Sequence, residues 1–148
     1  MTKTFSEFDL AQFTGSESWY RHGITRAVLF TDGAKYVADK AGAYWLLDEI
    51  AIIQVHDARL KAEEFQVWKL AVNAHQTGVL ICEDGNDNDV YTKLLEYTDF
   101  PPGGITLYFT NKTILLPSEY CPLLPRRRGC LLLVAQCIFV TERRLYAL

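Results

Sequence analysis

The chain has 148 residues, the size of one domain, and 49% of them are hydrophobic, so disorder of the whole chain is excluded. The formal net charge of -3 is unevenly spread: residues 1–120 hold 10 Lys and Arg against 17 Asp and Glu, whereas residues 121–148 hold five Arg and one acid. Because the acidic part repels phosphate backbones, we expect no nucleic-acid binding by residues 1–120.

The distribution of apolar residues bears on localisation. The first residues carry acids early and contain no apolar core segment, which argues against a signal peptide. The longest apolar stretch, residues 130–140, is about half the roughly 20 residues that span a bilayer. We therefore expect no membrane segment and a cytoplasmic protein, in which the four cysteines stay reduced.

The chain begins with elements that combine capping signals and β-rich runs. Apolar residues at helical spacing predict a short helix over residues 4–13, with Thr4 as its N-cap and Glu7 completing a capping box. Residues 19–24 and 26–30 are rich in aromatic and β-branched side chains, which predicts two extended segments.

The strongest helical periodicity follows over residues 34–54. Gly42 interrupts it, so we expect two short helices in succession, and Asp32 is a suitable N-cap for the first. Residues 57–64 are polar and charged, which is typical of either a last helical turn or a surface loop.

The pattern then changes from helical to alternating. Strands separated by turn residues are predicted over residues 65–73, 78–82, 90–97, 105–110 and 113–116, and in the first and fourth of them apolar and polar side chains alternate with period two. Helices early and consecutive strands late predict an α+β fold, with short helices of the first half packed on an antiparallel β-meander of the second half.

Four polar side chains lie close in sequence around the first predicted strand and the following helix: Tyr20, His22, Asp32 and Lys35. A helix N-terminus beside a Tyr/His pair can hold an anion, and such side chains can supply acid and base groups. The alternative interpretation is that Asp32 caps the helix while the other three are ordinary solvated groups.

Two further motifs are weaker than they first look. An EF-hand loop beginning at Asp84 requires Gly in its sixth position and Glu in its twelfth, where the chain has Asp89 and Leu95. We therefore interpret residues 84–89 as a polar hairpin turn and expect no metal ion. Cys82 has no signature linking it to a histidine, so we interpret it as a buried strand thiol. We expect no cofactor.

The residues after Tyr120 differ in composition from those before it. All seven Lys precede residue 121, whereas residues 121–148 add three Cys and a run of Leu to their five Arg. The Arg triplet at 126–128 is a weak basic patch, and the cysteine spacing does not fit zinc. We predict one domain over residues 1–120 and a C-terminal extension over 121–148, with read-through or out-of-frame coding as one hypothesis for its origin.

Six distinctive blocks follow one another along the chain: Trp19-Tyr20-Arg21-His22, Thr31-Asp32-Gly33-Ala34-Lys35-Tyr36, Gly42-Ala43-Tyr44-Trp45-Leu46-Leu47-Asp48, Phe65-Gln66-Val67-Trp68-Lys69-Leu70, Tyr97-Thr98-Asp99-Phe100-Pro101 and Leu116-Pro117-Ser118-Glu119-Tyr120. Together they resemble the DUF6876 family over about residues 5–120. The resemblance implies a small bacterial domain of unknown function that ends near the last block. It implies no activity, cofactor or catalytic residue.

Two functions remain open at this point. The lack of a carboxylate-pair motif, of metal-ligand spacing and of a glycine-rich phosphate loop favours a small cytoplasmic binding or accessory module with a protein partner on a sheet face or edge. The alternative is a small enzyme that uses Tyr20, His22, Asp32 and Lys35. Free sheet edges also make a homodimer a possible assembly.

Overall fold

A computed structural model describes residues 6–15 and 17–120, and within them four α-helices, one 3-10 helix and seven strands. The helices are α1 Glu7–Ala11, α2 Asp32–Ala41, α3 Tyr44–His56, α4 Ala58–Ala62 and the 3-10 helix Pro117–Glu119. The strands are β1 Trp19–Arg21, β2 Leu29–Thr31, β3 Phe65–Val72, β4 Gly78–Glu83, β5 Asp89–Leu95, β6 Ile105–Thr110 and β7 Thr113–Leu115. The predicted α+β class is confirmed.

The first helix begins later than predicted. Ser6 is its N-cap: the Ser6 side chain accepts from the Asp9 backbone N–H, and the Asp9 carboxylate accepts from the Ser6 backbone N–H at 2.9 Å. Ser6 and Asp9 thus form the capping box that was expected at Thr4 and Glu7, because they carry the same pair of functional groups two residues later. Thr4 itself, like all of residues 121–148, lies outside the described residues.

The break in the long helical segment is confirmed. Gly42 ends α2 in the left-handed conformation, with φ at 65°, and α3 begins two residues later. The predicted cap of α2 is wrong: Thr31, with extended backbone, is the N-cap, and its hydroxyl accepts from the Ala34 N–H at 3.3 Å. Asp32 is already the first helical residue, and its carboxylate accepts from the Ser18 N–H at 3.0 Å.

The seven strands form one sheet in the order β1-β2-β7-β6-β3-β4-β5, in which only the β2–β7 pair is parallel. β3, β4 and β5 follow one another as an antiparallel meander. β6 does not continue it, because the chain returns to the other side of β3, so that Trp68 lies between Cys82 of β4 and Leu107 of β6. β3 is therefore a central strand.

The helices pack on one face of this sheet. Alternate residues of the central strands are buried beneath them: Gln66, Trp68, Leu70, Leu80, Cys82, Leu107 and Phe109. Gln54 of α3 and Gln66 exchange two amide hydrogen bonds, of 2.7 and 3.0 Å, inside this interface. Further out, Glu49 of α3 accepts from Lys93 of β5 at 2.8 Å. A buried amide pair and a partly exposed ion pair thus fix α3 on the sheet.

Candidate functional site

The structure places Tyr20 and Lys35 beside each other at the surface. Tyr20 stacks on Phe30 with ring centroids 5.6 Å apart, and the Lys35 Nζ lies 5.5 Å from the Tyr20 centroid. Lys35 also donates to Asp39 at 2.7 Å, one helical turn along α2. The Lys35 and Asp39 side chains are 37% and 47% exposed, so this ion pair is solvated and contributes little to stability.

The Asp39 carboxylate is shared by two donors, since the Tyr44 hydroxyl also donates to it. The hydrogen bonds from Lys35 and from Tyr44 lower the pKa of Asp39. The hydrogen bond to Asp39 in turn raises the pKa values of Lys35 and Tyr44. Each group is thereby held in its usual charge state at neutral pH, whereas a catalytic base or nucleophile needs the opposite shift.

His22 does not belong to this exposed group. It is 3% exposed, its Nδ1 accepts from the Thr25 backbone N–H at 3.2 Å, and its Nε2 lies 2.7 Å from the Asp48 carboxylate on α3. Because Nδ1 accepts, the ring proton sits on Nε2 and is donated to Asp48. Both ring nitrogens are thus engaged in holding the loop after β1 against α3.

The N-terminus of α2 already carries a carboxylate that belongs to the chain itself. Glu119, 6% exposed, accepts from the Gly33 N–H at 3.1 Å and from the Thr31 hydroxyl at 2.5 Å. The Ala34 N–H is bonded to Thr31 in turn. A helix N-terminus favours negative charge, and here Glu119 supplies it, so the helix end that was expected to hold an anion is filled.

The four predicted site residues are therefore only partly brought together. In the described part of the chain, the approach of Lys35 to Tyr20 is the one contact that joins two of them. His22 and Asp32 each bond to groups outside the set. The assignment of an acid–base site to Tyr20, His22, Asp32 and Lys35 stays a prediction, and these contacts give it no support.

Cys82 is buried, as predicted. Its side chain is 0% exposed, and burial, reinforced by the nearby carboxylates of Glu63, Glu83 and Asp84, raises the pKa of its thiol to about 12. A protonated thiol is a poor nucleophile. Cys82 therefore belongs to the interior packing of β4.

The loop after β4 is a hairpin turn closed by its own first carboxylate. Asp84 accepts from the backbone N–H groups of Asn86 and Asn88 at 2.8 and 3.3 Å, and Gly85 and Asp87 take positive φ values of 84° and 61°. These bonds form the turn that the sequence indicated. Within residues 6–15 and 17–120, no group of three or more His, Cys, Asp or Glu side chains is arranged to hold a metal ion.

A cleft of about 590 Å³ lies between α1, the turn at residues 101–104 and the 3-10 helix. Apolar side chains such as Leu10, Leu70 and Leu116 line it, together with Thr106 and Ser118. None of its lining residues has an acidic or basic side chain, so the cleft contains no group for acid–base catalysis.

The face of the sheet that turns away from the buried helix-side residues is the second surface with binding potential. We call it the open face and define it by Phe65, Val67 and Lys69 of β3, Val79, Ile81 and Glu83 of β4, Thr92 and Leu94 of β5, and Thr106, Tyr108 and Thr110 of β6. Cross-strand pairing places them in rows, for example Thr106, Lys69, Ile81 and Thr92. They are half-buried or exposed, whereas their helix-side neighbours on the central strands, such as Trp68, Leu80 and Leu107, are buried.

Three aromatic rings meet at one end of the open face. The Phe65 centroid lies 5.1 Å from those of Tyr108 and Tyr120, and the two tyrosine centroids are 5.6 Å apart. All three rings are half-buried. Edge-to-face and tilted ring contacts of this kind form a rigid apolar platform with polar hydroxyl groups.

Sequence reasoning did not single out this surface, although part of the signal was present. The alternation over residues 105–110 places Tyr108 among the outward-facing side chains. The third ring could not be found that way, because Tyr120 follows the 3-10 helix and reaches Phe65 only through the folded chain.

Comparison with other proteins adds a family but no named relative. None of the helices in the described residues has both the length and the apolar character needed to cross a bilayer. The chain matched neither a curated protein nor a solved structure. Residues 4–120 match the model of a family of unknown function, DUF6876, and the chain belongs to that family.

Proposed function

We propose that this domain is a non-catalytic binding or accessory module that takes a protein partner on its open face. The observation that carries the proposal is the half-buried ring cluster of Phe65, Tyr108 and Tyr120 beside the aliphatic residues Val67 and Ile81. Aromatic side chains with one polar end are enriched at protein interfaces, because they bury large apolar areas at little cost in side-chain entropy.

The charges of the open face favour a protein over a nucleic acid. Lys69 and Glu83 are its two charged side chains, and the Lys69 Nζ lies 2.6 and 2.7 Å from the two Glu83 carboxylate oxygens. This pair is neutral as a unit. Since residues 1–120 carry 10 basic against 17 acidic side chains, the surrounding field repels phosphate groups. The proposal places the module in the bacterial cytoplasm, where the buried free thiol of Cys82 is stable.

The test uses a photo-reactive amino acid at Thr106, on the open face, in the full chain expressed in its own host. A protein cross-linked there is purified, and its affinity for wild type, Val67→Lys and Val55→Lys is measured by calorimetry. Val55 is a 59% exposed residue of α3, so the last variant places the same new charge on the helix side. We expect Val67→Lys to weaken binding about tenfold or more and Val55→Lys to leave it unchanged.

Thr110→Lys, a second substitution on the open face, is an independent test in case Val67→Lys does not fold. The proposal is refuted if both open-face variants bind as wild type does. It is also refuted if cross-linking at Thr106 captures no protein, or if a probe at Val55 captures the same protein equally well.

A further inference from the structure

β5 forms one end of the sheet and pairs with only β4 among the described strands. It is seven residues long, whereas β1 at the opposite end has three. The outer backbone N–H and C=O groups of such a strand are free to template a further strand. β5 is therefore the edge with the greater capacity for pairing.

The usual devices that protect an edge strand are weak in β5. It contains no proline, and its register shift lies at its very start, between Cys82 and Glu83 of the neighbouring strand. Its one lysine, Lys93, is neutralised by Glu49 at 2.8 Å. Leu94, by contrast, is 77% exposed on the open-face side of the strand.

We propose that β5 pairs antiparallel with β5 of a second copy of this chain, about a two-fold axis at Thr92. Thr92 is the middle residue of Asp89–Leu95, so this register pairs the strand over its full length. It sets Thr92 against its own copy, and such cross-strand threonine pairs are favourable. Leu94, 77% exposed in the single chain, lies beside the strand of the second copy, whereas Val90 is the extra residue at the register shift and packs partly against the core of its own chain.

The charges of β5 are self-complementary in this register. Lys93 faces Tyr91 of the second copy, whose hydroxyl donates to Glu49 at 3.1 Å, so each lysine gains a second carboxylate nearby. Asp89 faces Leu95, so no like charges are opposed. The charge complementarity of a second copy is therefore local, and it lies between Lys93 of one chain and the Glu49 carboxylate beside Tyr91 of the other. The pairing uses backbone groups and does not depend on the proposed partner of the open face.

The test places a positive or a negative charge at the two-fold axis, in two variants of the full chain. Thr92 is exposed, so Thr92→Lys and Thr92→Asp can be made without disturbing buried groups. By sedimentation or light scattering we expect wild type at twice the 16.9 kDa of one chain. Each variant alone opposes like charges across the axis and should dimerise about tenfold more weakly or worse, and an equimolar mixture of the two should recover dimers.

Val55→Lys is the matched control and should dimerise as wild type does. The proposal is overturned if wild type is a monomer at all concentrations. It is equally overturned if the mixture of Thr92→Lys and Thr92→Asp does not recover dimers, which would place the contact in another register or on another surface. Loss of dimers in Val55→Lys would assign the interface to the helix side.

Discussion

Cys82 is held on β4 with only weak hydrogen-bond partners. Its sulfur lies 3.9 Å from the Gln66 side-chain oxygen and 3.8 Å from the Glu83 carbonyl oxygen. Burial disfavours the thiolate, which raises the pKa of the thiol from the ordinary 9.0 to about 12. The unfolded chain therefore releases this proton at a lower pH than the folded chain does.

We predict that the protein loses stability at alkaline pH because the Cys82 thiol ionises more easily in the unfolded chain than in the folded one. Below about pH 9 both states hold the proton, and from there to about pH 12 the free energy of unfolding should fall by up to about 1.4 kcal/mol per pH unit. Urea unfolding of wild type and of Cys82→Ala at about pH 8 and about pH 10 measures it. The difference between the two proteins isolates Cys82, because all other titrating groups are common to both. If that difference does not change with pH, the thiol is not desolvated.

The roles of some single residues cannot be predicted from the sequence around them. Thr31 and Asp32 are both good N-cap residues, and only the backbone of the folded chain decides that Thr31 has that role. His22 has a polar side chain in a turn, yet it is buried because Asp48 meets it from a helix 26 positions away. Such contacts between distant residues have no periodic signature in the sequence.

At the scale of elements, the tightest junction joins α2 to the 3-10 helix. Glu119 accepts from Gly33 in α2 and also from the Leu116 N–H at 2.9 Å. Glycine at position 33 leaves room for this junction: an added Cβ would lie 2.7 Å from the Glu119 carboxyl carbon and 2.6 Å from the Leu116 Cδ1, so one of these buried side chains would have to move. Close approach, rather than backbone conformation, is the reason for Gly33.

We predict that Gly33→Ala destabilises the protein by about 1–3 kcal/mol, because overpacking at the Glu119 junction outweighs the gain in helix propensity of about 1 kcal/mol. The matched control is Gly23→Ala, where an added Cβ meets nothing within 4 Å. Chemical denaturation of both variants gives the comparison. A Gly33→Ala protein as stable as wild type would show that Glu119 and Leu116 give way freely.

Elements with local signals could be predicted, and those set by packing could not. Gly42 marks the break between α2 and α3, and Asn111 and Lys112, with φ values of 48° and 59°, form the predicted hairpin turn between β6 and β7. The first two strands are shorter than predicted, because the chain already turns between them: Arg26 has φ of 53° and the His22 N–H donates to the Val28 carbonyl at 2.8 Å.

At the scale of the whole molecule, the sequence indicates the α+β class but not the order of strands. Short connections predict that neighbours in sequence pair, which holds for β3, β4 and β5. The return of β6 to β3 and the parallel contact of β7 with β2 depend on burying one common helix-side face. The sequence pattern likewise did not predict the open face, because the residues of this face are dispersed over four strands.

We predict that the chain truncated after Tyr120 keeps the fold. Glu119 and Tyr120 complete contacts with α2 and with Phe65, and the family match ends at residue 120. The free energy of unfolding should lie within about 1 kcal/mol of that of the full chain, measured by urea denaturation and circular dichroism. Truncation after Leu115, which removes Glu119, should unfold. If the chain ending at Tyr120 unfolds or precipitates, the domain boundary is wrong.

The contact of Glu119 with α2 also bears on how the chain folds as it is made. A ribosome delivers Thr31 and Gly33 long before Glu119, so the start of α2 lacks its carboxylate while most of the domain is being translated. β2 likewise cannot pair with β7, its parallel neighbour, until β7 has been synthesised. Nascent chains usually fold from the N-terminus onward, as complete domains become available. Because these contacts of α2 and β2 form only with residues 113–119, we expect the first half of the domain to reach its final packing only after Glu119 has been synthesised.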